Sequence, residues 1–64
     1  MEATLVEALK QDVAKWEEAA KAVEHWLSKV PEADRLQLIN AGRQYKANAL
    51  AIRSLLEQLH RLGE

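Results

Sequence analysis

Residues 23–38, VEHWLSKVPEADRLQL, contain the only proline of this 64-residue chain. Pro31 has no backbone N–H and clashes with the preceding helical turn, but it fits the first position of a new helix. Glu32 and Asp34 follow it and favour the positive end of that new helix. The stretch therefore predicts that one helix ends near Lys29 and that a second helix begins near residue 32.

The apolar residues before and after Pro31 form two heptad patterns with different phases. In each pattern the steps alternate between three and four residues, which is typical of a helix face that packs along another helix. The first pattern consists of Val6, Leu9, Val13, Trp16, Ala20, Val23, Leu27 and Val30, and the second of Leu38, Gly42, Tyr45, Ala49, Ile52, Leu56 and Leu59. The sequence predicts one all-α domain over residues 1–64, an antiparallel two-helix hairpin with helix 1 at about 4–29, a turn at about 29–31 and helix 2 at about 32–62. A single helical rod kinked at the proline is the alternative.

Three local signals concern the helix ends. Thr4 followed by Glu7 fits a capping box at the start of helix 1, and Gly63 fits a stop after helix 2. Gly42 raises the question of a break, because glycine inside a helix costs roughly 1 kcal/mol relative to alanine. The unbroken phase on both sides of Gly42 favours one continuous second helix.

In the antiparallel hairpin, residues whose numbers add to 65 lie opposite one another, and the opposed residues match by size. Both large aromatic residues of the seam face an alanine, and Gly42 faces a β-branched valine, as close packing of facing layers requires. The predicted pairs are Leu27–Leu38, Val23–Gly42, Ala20–Tyr45, Trp16–Ala49, Val13–Ile52, Leu9–Leu56 and Val6–Leu59.

A second apolar surface, here called the alanine flank, lies beside the seam. A chain of this length is marginally stable on one small core, and without cysteine it has no disulfide to reinforce it, which favours self-association. The sequence therefore predicts a homodimeric four-helix bundle that buries the flank; the alternative is a groove for a helix of another protein. The flank consists of Leu5, Ala8, Ala19, Ala22, Trp26, Ala41, Ala51, Leu55 and Leu62.

A mixed apolar and basic surface of helix 2, here called the stripe, lies on the opposite side of the seam. Such a surface is typical of a site that binds an acidic protein partner, although it also fits an ordinary solvated face. The stripe is the predicted partner-binding site and consists of Leu36, Ile39, Arg43, Lys46, Leu50 and Arg53.

The chain carries no recognisable catalytic or cofactor motif, so we expect a protein that is not an enzyme and that has no cofactor and no metal site. His25 and His60 fall near opposite ends of the predicted hairpin, and the chain has no cysteine and no glycine-rich phosphate loop. A pI near 6.1 argues against binding nucleic acid through overall charge. The absence of an apolar run of membrane-spanning length and of a basic, apolar N-terminal signal predicts a cytoplasmic protein, of a bacterium or of a phage-infected host.

Two helices of about thirty residues, with heptads and large-to-small layering, resemble the Rop-type RNA-binding hairpins. That resemblance implies an antiparallel four-helix bundle formed by two copies, but the chain carries no match to the RNA-contacting residues of those proteins. Residues 49–52, ALAI, followed by Leu55 and Leu56, are similar to a helix of the small co-chaperones of type III secretion needle subunits. Small phage-encoded inhibitors of host proteins share the size and the helical style.

Taken together, these features predict a non-enzymatic protein-interaction module, a helical-hairpin homodimer that binds and inhibits or chaperones an unidentified partner protein. The alternative is an RNA- or DNA-binding regulator that uses the basic residues of helix 2. Between Arg35 and Arg61 helix 2 has five basic residues and one acid, Glu57, so a local positive charge is available for phosphates.

Overall fold

A computed structural model describes residues 4–63 as two α-helices that pack against each other. Helix α1 comprises Leu5–Leu27 and helix α2 comprises Glu32–Leu62. The all-helical, hairpin-like plan predicted from the two heptad patterns is confirmed. Helix α1 ends two residues earlier than predicted, and the turn correspondingly begins at Ser28 rather than at Lys29.

The ends of the two helices follow the local sequence signals. The Thr4 hydroxyl accepts a hydrogen bond from the Glu7 backbone N–H at 3.1 Å, which confirms Thr4 as the N-cap of α1. Pro31 occupies the N-cap of α2 rather than its first helical position, and its carbonyl accepts a hydrogen bond from the Asp34 N–H at 2.9 Å. Gly63 caps the end of α2 with a φ of −76°, so the position does not use the left-handed conformation that favours glycine.

Helix α2 is continuous through Gly42, and the packing explains the glycine. Gly42 is buried, and a Cβ atom at this position would lie 3.0 Å from Val23 Cγ1. The two helices therefore approach so closely here that even a methyl group would press on the opposite valine. This contact also confirms the predicted Val23–Gly42 pair and the antiparallel direction of the helices.

The core is a narrow seam of small side chains. Its buried hydrophobic residues are Val13, Ala20, Val23 and Ala49, and among residues 4–63 no large side chain is fully buried. Trp16 and Tyr45 are half-buried, and their ring centroids lie 5.5 Å apart with planes inclined by 30°. Trp16 belongs to the predicted Trp16–Ala49 layer and Tyr45 to the neighbouring Ala20–Tyr45 layer, so this contact joins two layers. The predicted pairs place each ring opposite an alanine and did not include this contact between the rings.

The molecule is one layer of helices. It measures 49 × 24 × 12 Å, and its smallest dimension is about the diameter of a single α-helix. Because no third element among residues 4–63 covers the layer, both of its broad faces are open in this part of the chain. The alanine flank lies on one face and the stripe on the other.

Candidate functional site

The largest exposed hydrophobic side chains concentrate on the two open faces. Four of them, Leu5, Trp26, Leu55 and Leu62, belong to the alanine flank, and two, Leu36 and Leu50, belong to the stripe; the seventh, Val6, lies at the end of the seam. Isolated apolar residues on a surface need no explanation, but apolar residues that recur along one face mark an interaction surface.

Toward the turn, the alanine flank contains a shallow hollow beside the seam. Ala19, Ala22 and Trp26 line this hollow together with seam residues of both helices, and its volume is about 310 Å³. Trp26 remains 54% exposed although it is the largest side chain of the flank. Small side chains with a large apolar one at the edge form a surface that another helix can approach closely.

The alanine flank also contains polar residues that the sequence analysis left out. Asp12 and Lys15 line a neighbouring hollow of about 260 Å³ together with Ala19. On α2, the Gln44 side-chain amide donates a hydrogen bond to Asn48 Oδ1 at 2.9 Å. Heptad spacing would have found all four residues, because they continue the steps of three and four residues that connect the alanines of each helix.

The stripe borders a groove made of three depressions that share residues. The largest, of about 410 Å³, lies over the buried Ala20 and Ala49 and includes Leu50. The other two, of about 190 and 340 Å³, continue toward the turn and both include Ile39. The groove therefore runs along the α1–α2 boundary from Arg53 to Arg35.

Two ion pairs connect the helices along this groove. Arg53 Nη2 lies 2.7 Å from Glu17 Oε2, and Lys46 Nζ lies 3.2 Å from Glu24 Oε1. All four side chains are about half exposed or more, so each pair contributes only about 0–1 kcal/mol to stability. The pairs partly neutralise the positive charge that α2 has when it is considered alone.

The structure brings most of the predicted partner-binding residues to the groove. Ile39, Arg43, Lys46, Leu50 and Arg53 line it. Leu36 is 67% exposed near the beginning of α2. The opposite wall consists of Glu17, Lys21 and Glu24 of α1, which the predicted site on α2 did not include.

A small cluster of ring and cationic groups marks the turn end of α1. The Lys29 ammonium lies 3.1 Å from His25 Nε2 and 5.0 Å from the centroid of the Trp26 ring. The His25 and Trp26 rings meet edge to face with centroids 5.4 Å apart. The cluster places Trp26 in contact with His25 and Lys29 at the edge of the alanine flank.

The chain matches no family model, and no curated protein or solved structure is significantly similar to it. The resemblances drawn from the sequence thus gain no support from these comparisons. Within residues 4–63, no group of three or more His, Cys, Asp or Glu side chains is arranged to hold a metal ion, and neither helix is long and apolar enough to cross a membrane.

Proposed function

We propose that this chain is a non-enzymatic interaction module, a helical hairpin that self-associates through the alanine flank and binds a partner protein through the stripe. Its action on that partner is inhibition or chaperoning. One observation carries the proposal: a single layer of two helices leaves two opposite apolar faces that the chain cannot cover by itself.

The exposed area supports self-association. The chain has an accessible surface of 5321 Å² and a mass of 7.3 kDa, whereas a compact monomer of that mass exposes about 4,200 Å². The difference of about 1,100 Å² exceeds the roughly 800 Å² that each partner buries in a standard protein interface. A second copy packed on the alanine flank to form a four-helix bundle would cover part of this exposed area.

The composition of the alanine flank favours specific dimerisation over non-specific association. Alanines allow the close approach of helices, and Trp26 and Leu55 provide large apolar side chains to bury. Gln44 and Asn48 are already hydrogen-bonded to each other, so their amide groups are partly satisfied inside such an interface. Polar residues within a helical interface disfavour alternative registers.

The stripe is left for the partner because it lies on the other face of the layer. Leu50 is 67% exposed there, and Arg43 and Lys46 flank Ile39 and Leu50 along α2. An apolar centre with a charged rim is the usual composition of a protein interface.

Binding of RNA or DNA is the second candidate, favoured by the basic residues of α2. Three of those five residues, Lys46, Arg53 and Arg61, are paired with carboxylates, which leaves fewer charges for phosphates. Retention on a nucleic-acid column at low salt, with steep release as salt rises, would favour this candidate over the protein partner.

The test is affinity capture from extracts of the organism that encodes the chain, with the full chain as bait. We expect one defined protein to be captured and to be lost with Ile39→Asp, because a buried carboxylate opposes docking in the groove. Circular dichroism and sedimentation show whether the variant still folds and still forms dimers.

Ala47→Asp is the matched control, since Ala47 is exposed and lies on the outer side of α2. We expect this variant to retain the captured protein. Equal capture by Ile39→Asp and by the unaltered chain would refute the partner site, and a stably folded monomer at micromolar concentration would refute the dimer.

A further inference from the structure

We infer that the groove along the stripe receives an acidic amphipathic helix of the partner protein, and that one bulky apolar side chain of this helix occupies the depression over Ala20 and Ala49. The inference rests on the proposed function and specifies the chemistry of the partner. It is supported by three features of the groove: its shape, the position of its largest depression, and its charge.

The shape of the groove fits a helix. From Arg35 to Arg53 it follows 19 residues of α2, which are joined by 18 helical steps. At the helical rise per residue this corresponds to about 27 Å, or about five turns of a docked helix. Ala20, Gly42 and Ala49 are buried beneath the groove, and such small residues allow a third helix axis to come close to the other two.

The largest depression is placed to hold a single bulky side chain. It lies between the Arg53–Glu17 and Lys46–Glu24 ion pairs, which are one heptad apart on each helix. Leu50 and the aliphatic part of Lys21 form its walls, so the contact surface is mainly apolar. Its volume of about 410 Å³ accommodates an aromatic or leucine side chain. A bulky residue that fills an apolar pocket surrounded by polar groups is typical of an interface hot spot, and this pocket lies at the Arg53 end of the groove.

The charge of the groove selects an acidic partner. Its walls carry five cationic side chains and two carboxylates, a net charge of +3, whereas the whole chain has a net charge of −1. The five cations are Lys21, Arg35, Arg43, Lys46 and Arg53.

Three of these cations are available to carboxylates of a partner. Among residues 4–63, Lys21, Arg35 and Arg43 have no carboxylate within ion-pair distance, while Glu17 and Glu24 are each paired with a cation across the groove. Carboxylates on both sides of a docked helix would meet Lys21 on one wall and Arg43 on the other. A basic helix would meet uncompensated like charges, which disfavour the wrong partner.

Fluorescence anisotropy with the full chain and three labelled probes tests the inference. The probes are an amphipathic peptide of about 18 residues with leucines on one face and glutamates beside them, the same peptide with lysine in place of each glutamate, and a single-stranded RNA oligonucleotide. We expect the glutamate peptide to bind at least about tenfold more tightly than the lysine peptide, with a preference that weakens as salt rises. Equal binding of the two peptides, stronger binding of the RNA, or no binding of any probe would overturn the inference.

Paired variants locate the binding. Arg43→Gln should weaken binding of the glutamate peptide several-fold, whereas Arg61→Gln, which makes the same charge change outside the groove, should not. Leu50→Ala should also weaken it, and because Leu50 is largely exposed the variant should fold normally. An equal effect of the Arg43 and Arg61 variants would exclude the groove as the site.

The two experiments distinguish failure of the proposed partner site from failure of the proposed acidic helix. If capture from extracts depends on Ile39 but the peptides show no acidic preference, only the partner's chemistry is wrong. If neither experiment gives binding that depends on the stripe, the proposed partner site is wrong as well.

Discussion

At the scale of single residues, the short distance between the two helices depends on the small size of the residues between them. Gly42 lacks the methyl group that would press on Val23, and Ala20 and Ala49 are buried in the two layers beside the Trp16–Tyr45 contact. The intrinsic cost of glycine in a helix is roughly 1 kcal/mol, and this packing compensates for it. Size therefore matters more at these positions than hydrophobicity.

Gly42→Leu tests this point. We expect the variant to lower the free energy of unfolding by about 1–3 kcal/mol, because the new side chain has no room beside Val23 and overpacking outweighs the better helix propensity of leucine. Urea unfolding followed by circular dichroism measures the change.

Ala47→Leu is the control for Gly42→Leu, because Ala47 is exposed in the following turn of the same helix, and its effect should stay within about 0.5 kcal/mol. Val23→Ala should restore part of the stability that Gly42→Leu removes. A Gly42→Leu variant as stable as the unaltered chain would mean that the helices are not in close contact there.

At the scale of elements, the seam fixes the register of α1 against α2, and the register places charges opposite one another. Glu17 and Arg53 are 36 residues apart in sequence and still pair, as do Glu24 and Lys46 one heptad further along. Both pairs lie beside the seam: the numbers of the two paired residues add to 70, whereas the numbers of opposed seam residues add to 65. The ion pairs thus follow from the apolar packing and add little to its strength.

The Glu17–Arg53 pair gives a measurable prediction. A double-mutant cycle with Glu17→Gln and Arg53→Gln should give a coupling free energy of about 0.2–1 kcal/mol that decreases at high salt, because both side chains are half exposed. Thermal unfolding of the four proteins at one concentration provides the values.

The same cycle with Glu18 in place of Glu17 is the comparison, since Glu18 is exposed and adjacent but makes no ion pair with Arg53 among the described residues. Additive effects are expected in that cycle. Coupling of equal size in both cycles would mean that the 2.7 Å contact has no energetic significance.

The seam was predictable from sequence because heptad periodicity is a local property. The turn at Pro31, the cap at Thr4 and the Val23–Gly42 contact all followed from neighbouring residues or from folding the chain back on itself. The charge of the stripe was harder to predict, because the basic residues of α2 were counted without the α1 carboxylates that lie across the groove. The Gln44–Asn48 pair was missed for a similar reason, since only the apolar members of its face were considered.

At the scale of the whole molecule, two helices in one layer bury little. The exposed area and the two open faces leave apolar surface that the proposed dimer and the proposed partner would cover. For a dimer, the folded state is favoured by mass action as the protein concentration rises. The free energy of unfolding of such a dimer cannot be separated from its free energy of association.

Thermal unfolding at several protein concentrations should show this coupling. We expect the unfolding midpoint to rise with concentration, and Leu55→Asp to lower the midpoint and remove the dependence, because the new charge lies within the alanine flank. Ala47→Asp introduces the same side chain on the outer face and should preserve the dependence. A midpoint that is independent of concentration in the unaltered chain would contradict self-association.

The single seam has a consequence for how a lone copy would respond to proteases. Every tertiary contact among the described residues joins α1 to α2, so separation of the two helices removes all of the packing that stabilises them at once. Proteases cleave such a chain in proportion to the time it spends open. Under the proposed function, copies bound on both faces would be degraded more slowly than unbound copies, so the amount of this protein would follow the supply of its binding partners.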